Sequence, residues 1–202
     1  GHTLGKGLIL WATDVAGAYT KIYFNSSDVR RMAVALVGGL VLFSFVGIFG
    51  WTGTPAAFAV ITRALLFEFR QQLEGEMEMY VDDTMGCCKE SSVEQVMEGV
   101  EEIVCGLLGP GALERKKSRA QRRLDMIGYT LDLDTQRVSI AHKNVLRAVY
   151  GFSLVDEKKD RIAVKTLEKL SSWASRYGEV CMVMKPYTSL LYSAQRGMNR
   201  WG

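Results

Sequence analysis

Residues 76–88 read EMEMYVDDTMGCC. Glutamate and methionine alternate from Glu76 to Met79, the two-residue period of a strand with one buried face. A second short run follows at 84–88. Together they predict a hairpin over 76–81 and 84–88 with Asp82 and Asp83 at its turn. Aspartate is common in turns, so the pair by itself carries no further meaning. Adjacent carboxylates nevertheless repel unless water or a cation neutralises them. A third acid gives the pair weight. Residues 7–13, GLILWAT, read as a buried strand that ends at Asp14. If the two strands are neighbours, Asp14 and Asp82 face each other across one sheet edge. Oxygen ligands gathered in this way suit Mg²⁺, which is held by one or two carboxylates together with waters and substrate phosphates.

The rest of the chain supplies layers around these strands. Residues 32–49, MAVALVGGLVLFSFVGIF, are uncharged throughout and approach the length of a membrane helix. Gly38-Gly39 splits the run into two β-rich halves, so a hairpin over 32–37 and 40–46 is expected instead, and no membrane span. Thr54 and Pro55 read as N-cap and first-turn proline of a helix over 55–74. Ser91-Ser92-Val93-Glu94 reads as a capping box opening a helix that runs to about Leu108, where Gly109-Pro110-Gly111 stops it. Short strands are expected at 124–131 and 137–140 around the polar turn DLDTQ, then helices over 142–152, 163–177 and 187–200. The order β, ββ, α, ββ, α, ββ predicts an α+β fold, an antiparallel sheet backed by helices, with a helical appendix.

Composition narrows the class without naming a function. The 202 residues are 48% hydrophobic and 23% charged, ample for a globular core. A net charge of +3 selects no partner, but residues 115–123, RKKSRAQRR, hold six basic side chains and no acid. Such a stretch suits phosphates, and a solvated basic face accounts for it as well. Four cysteines (Cys87, Cys88, Cys105, Cys181) and two histidines (His2, His142) offer no zinc-ligand spacing. They read as reduced thiols of an intracellular protein, cytoplasmic or nuclear. The opening GHTLGKG carries no signal-peptide pattern and reads as the edge of a fragment.

Four motifs stand in order: DVAGAY (14–19), GWTGTPAAF (50–58), YVDD (80–83) and MIGYTLD (126–132). As a set they resemble the palm of reverse transcriptases of the retroviral and LTR-retrotransposon type, over most of residues 7–140. The resemblance implies a polymerase palm over 1–140 and a helical thumb- or connection-like segment over 141–202. The implied activity is RNA-directed DNA polymerase, a nucleotidyltransferase that adds deoxynucleotides to a primer with two Mg²⁺ ions, Mn²⁺ being possible in their place. The implied partners are an RNA or DNA template with its primer, and dNTP.

Residue by residue, the resemblance makes Asp14 and Asp82 the holders of both metal ions, with Asp83 supporting them. Lys117, or its neighbour Lys116, matches a proposed general acid for pyrophosphate. Val15, Ala16, Gly17 and Ala18 match backbone near the triphosphate, and Tyr19 matches an aromatic that clashes with a ribose 2′-hydroxyl. Phe49, Gly50 and Trp51 match the loop near the incoming base; a phenylalanine at 49 points to the retrotransposon branch. Tyr80 matches a residue under the primer end, and Met126, Ile127, Gly128 and Tyr129 match a primer-gripping hairpin. A buried aromatic, a tight turn and an ordinary glycine-bulged strand explain the same residues structurally. Only thirteen residues precede Asp14, so a fingers region is expected to be largely absent and synthesis by this chain alone to be weak. The competing expectation is a degenerate palm that binds nucleic acid or serves assembly without chemistry.

Overall fold

The run at 7–13 folds as expected, with Asp14 as the last residue of its strand, β1 (Leu8–Asp14). The computed structural model describes residues 6–157 and 163–198. After β1 come β2 (Ala33–Ala35), β3 (Val41–Phe43), α1 (Gly53–Gln72), β4 (Glu76–Tyr80), β5 (Asp83–Lys89), α2 (Val93–Leu108), β6 (Arg119–Gln121) and β7 (Arg123–Met126). Single turns of 3-10 helix lie at Ala18–Lys21, Val29–Met32, Glu90–Ser92 and Arg115–Lys117.

Four strands form an antiparallel sheet in the order β4-β5-β1-β6. Register then assigns every side chain to a face. Trp11 opposes Gly86 and Thr13 opposes Thr84, while Asp14 opposes Asp83. Ile9, Trp11, Met77, Met79 and Cys88 turn to one face and enter the core, where Phe58, Leu65 and Phe69 of α1 and Val96, Val100 and Val104 of α2 meet them. The helical residues recur every three or four positions, as a single buried stripe requires. Each fully buried aromatic or leucine there contributes roughly 2–3 kcal/mol. Asp14 and Asp83 lie on the opposite face.

Local chemistry shifts several expected boundaries. Asp83 is not a turn residue: the reversal takes Val81 and Asp82 alone, Tyr80 pairs with Asp83, and Asp83 opens β5. Thr54 does not cap α1. The helix starts at Gly53, and the buried Thr54 hydroxyl donates to the Ile48 carbonyl at 3.2 Å. The capping box at 91–94 does not form: a 3-10 turn over Glu90–Ser92 moves the N-cap of α2 to Ser92, whose Oγ donates to Lys89 O and makes no side-chain cap. The glycine hairpin is shorter than its apolar run; beyond the Ala35–Val41 pair, Leu36 N–H donates to Leu40 O at 2.8 Å, so three residues (37–39) make the loop instead of two. The basic run hides a strand, β6, beside β1. The strand expected over 124–131 is broken by Ile127 and Gly128, both at positive φ (43° and 86°).

The four cysteines are free; Cys88 is buried and Cys87 half-buried, and burial pushes both thiols up. No helix among the described residues is long and apolar enough to cross a membrane.

The chain divides into two compact units at the Ile127–Gly128 bond. The second unit holds β8 (Tyr129–Asp132), β9 (Arg137–Ile140), α3 (His142–Glu157), α4 (Val164–Gly178) and α5 (Lys185–Met198). The β8–β9 hairpin belongs with these helices through specific contacts. Tyr129 Oη donates to Arg176 O at 2.8 Å, and Asn144 Nδ2 donates to Gly128 O at 3.1 Å. Its turn is tied by Asp132, whose Oδ1 accepts the N–H groups of Asp134 and Thr135. Leu167, Leu170, Ala174 and Tyr177 form the buried face of α4. Of the helix expected over 187–200, residues 199 and 200 lie outside the described residues.

Candidate functional site

The carboxylates converge because two separate chain reversals meet at one sheet edge. Asp14 ends β1 and Asp83 begins β5 as its cross-strand partner, a pairing that places Cα atoms about 5 Å apart. Asp82 precedes it on the turn. The turn is fastened to the chain after β1: the Val15 N–H donates to the Asp82 carbonyl at 3.0 Å. Ala16 N–H is likewise committed, to Ala112 O at 2.8 Å, and Val15 bridges Leu113. Asp14 and Asp82, 68 positions apart, are thus separated in space by one hydrogen-bonded peptide.

Their charges act on one another. Burial first, then the charges of Asp82 and Asp14, push the Asp83 carboxyl up, against the opposing pull of Lys117 and Arg119. Asp14 is the most enclosed of the set, with a side chain only 12% exposed. Its Oδ2 accepts a hydrogen bond from Lys117 Nζ. Lys117 Nζ also lies 3.0 Å from Glu114 Oε2. Hydrogen bonds first to Asp14 and then to Glu114 hold the Lys117 ammonium protonated far above the ordinary lysine range.

A cavity of about 650 Å³ opens over these groups. Of the sequence-derived candidates, Asp14, Val15, Gly17, Ala18, Tyr19, Phe49, Tyr80, Asp82, Asp83 and Lys117 line it. Tyr19 is fixed on its wall by aromatic neighbours, 5.0 Å from Phe49 and 6.0 Å edge-on from Phe58. Phe49 itself is 88% exposed. Ala16, Gly50 and Trp51 are not among the lining residues; Trp51 packs edge-on against Phe24 at 4.9 Å. Met126 is buried and Ile127 forms the turn after β7, so neither lines the cavity. Gly128 and Tyr129 belong to the second unit. Lys116, the alternative to Lys117, does not line the cavity either.

Sequence reasoning missed Glu114, Thr20, Val46, Gly47 and Ile48. Glu114 sits three residues before Lys117, a spacing that one 3-10 turn brings together, and that was the available signal. Gly47 is required by a close approach: a Cβ there would fall 2.5 Å from Tyr19 O. Nothing local to Gly47 announces Tyr19.

Whether these residues suit a divalent cation is a question of donor count. Among the described residues no three carboxylate, imidazole or thiol groups are drawn together as one ion's ligand set. Mg²⁺ does not require three, since one or two carboxylates with waters and phosphates suffice. The present arrangement already places a cationic group, the Lys117 ammonium, on Asp14, and the Asp83 carboxyl is raised first by burial and only then by its acidic neighbours. The carboxylate oxygens are the donor type that a hard cation takes.

No protein-family model matches the chain, and no curated protein matches it in sequence. Its fold matches solved structures of foamy viral protease-reverse transcriptase. In the complex of that protein with an RNA/DNA hybrid, the match covers 92% of this chain and 24% of the other, with a TM-score of 0.64 at 15% identity. In the dRH form with double-stranded DNA it covers 92% and 30%, with a TM-score of 0.63 at 16% identity. The chain spans less than a third of the length of those proteins. At such identity the likeness establishes a reverse-transcriptase-like α+β fold and nothing finer.

Proposed function

We propose that this chain is the palm-containing part of an RNA-directed DNA polymerase, joining deoxynucleotides to a primer on a nucleic-acid template. The carrying observation is that Asp14, Asp82 and Asp83 line one cavity with Lys117. The fold relatives, solved on an RNA/DNA hybrid and on double-stranded DNA, support nucleic acid as the partner.

In this reading Asp14 and Asp82 hold two divalent cations, Mg²⁺ or Mn²⁺, with Asp83 in support, and the bound pair supplies charge neutralisation for phosphoryl transfer. Lys117, which lines the cavity beside Asp14, is the residue this reading assigns to departing pyrophosphate, as a counter-charge and as the proton donor once the hydrogen bond to Asp14 that now holds its proton is released. The Tyr19 ring, braced by Phe58 and Phe49, forms the floor under the sugar and excludes a 2′-hydroxyl. The N–H groups of Val15 and Ala16 already serve Asp82 and Ala112, so a triphosphate over this loop meets Gly17 and Ala18 instead. Tyr80, 60% exposed beside the acids, faces the primer end.

A second reading has an observation of its own. Lys117 neutralises Asp14, and no three-ligand set is assembled among the described residues, as in a palm that binds nucleic acid without chemistry. Primer extension on an RNA template, with dNTP against NTP in Mg²⁺, separates the two. The polymerase reading expects dNTP-dependent extension that disappears in Asp82→Asn. Template binding that survives Asp82→Asn, with no extension by the parent chain or by a longer chain that contains it, establishes the binding module.

A further inference from the structure

We infer that Glu114 is a positioning residue that receives the Lys117 ammonium when the Asp14 carboxylate takes up a cation; the inference rests on the metal-dependent function proposed above. The three residues are locked together through their backbones. Glu114 N–H donates to the Asp14 carbonyl at 2.9 Å, and the Glu114 carbonyl accepts the Lys117 N–H at 2.9 Å. Their side chains are not locked. The lysine ammonium sits on a flexible four-carbon stem and is a point charge with no directional fork to satisfy. It contacts Asp14 Oδ2 and Glu114 Oε2 at once, so movement between them requires rotation of one side chain and no change of backbone.

The two carboxylates differ in the way such an exchange needs. Asp14 is 12% exposed and Glu114 is 42% exposed. An enclosed carboxylate requires a counter-charge, while a half-exposed one is partly served by water. Asp14 is therefore the partner that most needs Lys117 when no other cation is present, and Glu114, already in contact with it, is the half-exposed partner that keeps it when Asp14 is taken. A divalent ion arriving at Asp14 displaces the ammonium, since two cations on one carboxylate repel. Without Glu114 the displaced ammonium either stays and opposes the ion or leaves the cavity. With Glu114 it is retained at the rim, where the proposed reaction uses it. Glu114 lines the same cavity as both partners.

The test is Mn²⁺ binding to the whole 202-residue chain without nucleotide, read by loss of the free-ion electron paramagnetic resonance signal, for the parent, Glu114→Gln, Lys117→Met and the double variant. Both altered side chains are more than a third exposed, so the fold is retained, and circular dichroism verifies it. Lys117→Met removes the competing ammonium and is expected to tighten binding about fivefold; Glu114→Gln is expected to weaken it about fivefold, both being the size of one half-exposed charge interaction. In the Lys117→Met background the Glu114→Gln effect is expected to vanish. An undiminished Glu114→Gln effect there makes Glu114 a direct ligand or a bare charge and overturns the inference, leaving the proposed function standing. A parent chain that binds no Mn²⁺ overturns both.

Discussion

Two tight hairpins in the first unit solve the same geometric problem in opposite ways. The β2–β3 hairpin reverses through Val37, Gly38 and Gly39, and both glycines sit at positive φ, 85° and 78°. The β4–β5 hairpin reverses through Val81 and Asp82, with Val81 at φ 59°. Left-handed backbone costs an ordinary residue about 1–2 kcal/mol, and β-branching adds crowding. The first hairpin avoids that cost by composition. The second bears it and is over-determined by its surroundings: Val81 packs against the core, Asp82 O accepts Val15 N–H, and Asp83 pairs with both Tyr80 and Asp14. Around the glycine turn the side chains face solvent, and Val37 is 99% exposed. Strain persists where neighbours hold it in place, and here it coincides with the turn that presents the carboxylates.

The largest way to break this contrast is to add one methyl group to each hairpin. A Cβ on Gly86 of β5 would fall 2.5 Å from Glu76 O and 2.6 Å from the Trp11 ring. Gly86→Ala is expected to lower unfolding stability by about 3 kcal/mol, measured by urea titration. A Cβ on Gly39 meets nothing within 4 Å, so Gly39→Ala is expected to cost only its positive φ, about 1 kcal/mol. Equal losses would erase the distinction between the packed hairpin and the open one.

Val81→Gly asks whether the strain is real. Relief of the left-handed conformation is expected to offset the lost packing, leaving stability within about 1 kcal/mol of the parent by the same titration. A loss of the size seen for deleting a relaxed core valine would mean that nothing was stored there.

A pH series sharpens the electrostatic side. The folded state raises the Asp83 carboxyl above its ordinary value of 3.8. The unfolded chain therefore releases this proton first as pH rises, and folding loses stability from that pH up to the raised folded value. Asp83→Asn removes the penalty. Its melting temperature is expected to exceed the parent's at pH 7, with the gap closing as pH falls below 3.8. A gap that widens on acidification would reverse the assigned cause. The smallest effect belongs to the open hairpin: Val37→Ser is expected to move stability by less than about 0.5 kcal/mol in calorimetry.

How far the sequence revealed these features depended on the range of the interaction responsible. Period-two alternation marked β4, the stop at Gly109-Pro110-Gly111 marked the end of α2, and the apolar run before Asp14 marked β1, because each signal lies within a few residues. The parity of Asp83 was not legible. Whether the two turn residues are Asp82 and Asp83 or Val81 and Asp82 decides which face Asp83 occupies, and that is settled by pairing with Asp14 across the sheet. Thr54 and Ser92 both carried cap chemistry, but their hydroxyls found carbonyls at Ile48 and Lys89. β6 was obscured because basic side chains alternate poorly with anything and its partner is β1, about a hundred positions earlier. Glu114 carried only its three-residue spacing to Lys117 as a signal, and Gly47 acquires meaning only through Tyr19, which no local pattern connects to it.

The bond from Val15 N–H to Asp82 O makes the loop that carries Tyr19 and the tip that carries the acids a single mechanical part. Displacement of the aromatic wall, at Phe49 or Phe58, is expected to move the acidic tip through that peptide with no charge altered along the way. Side chains outside the acidic cluster thereby bear on its placement.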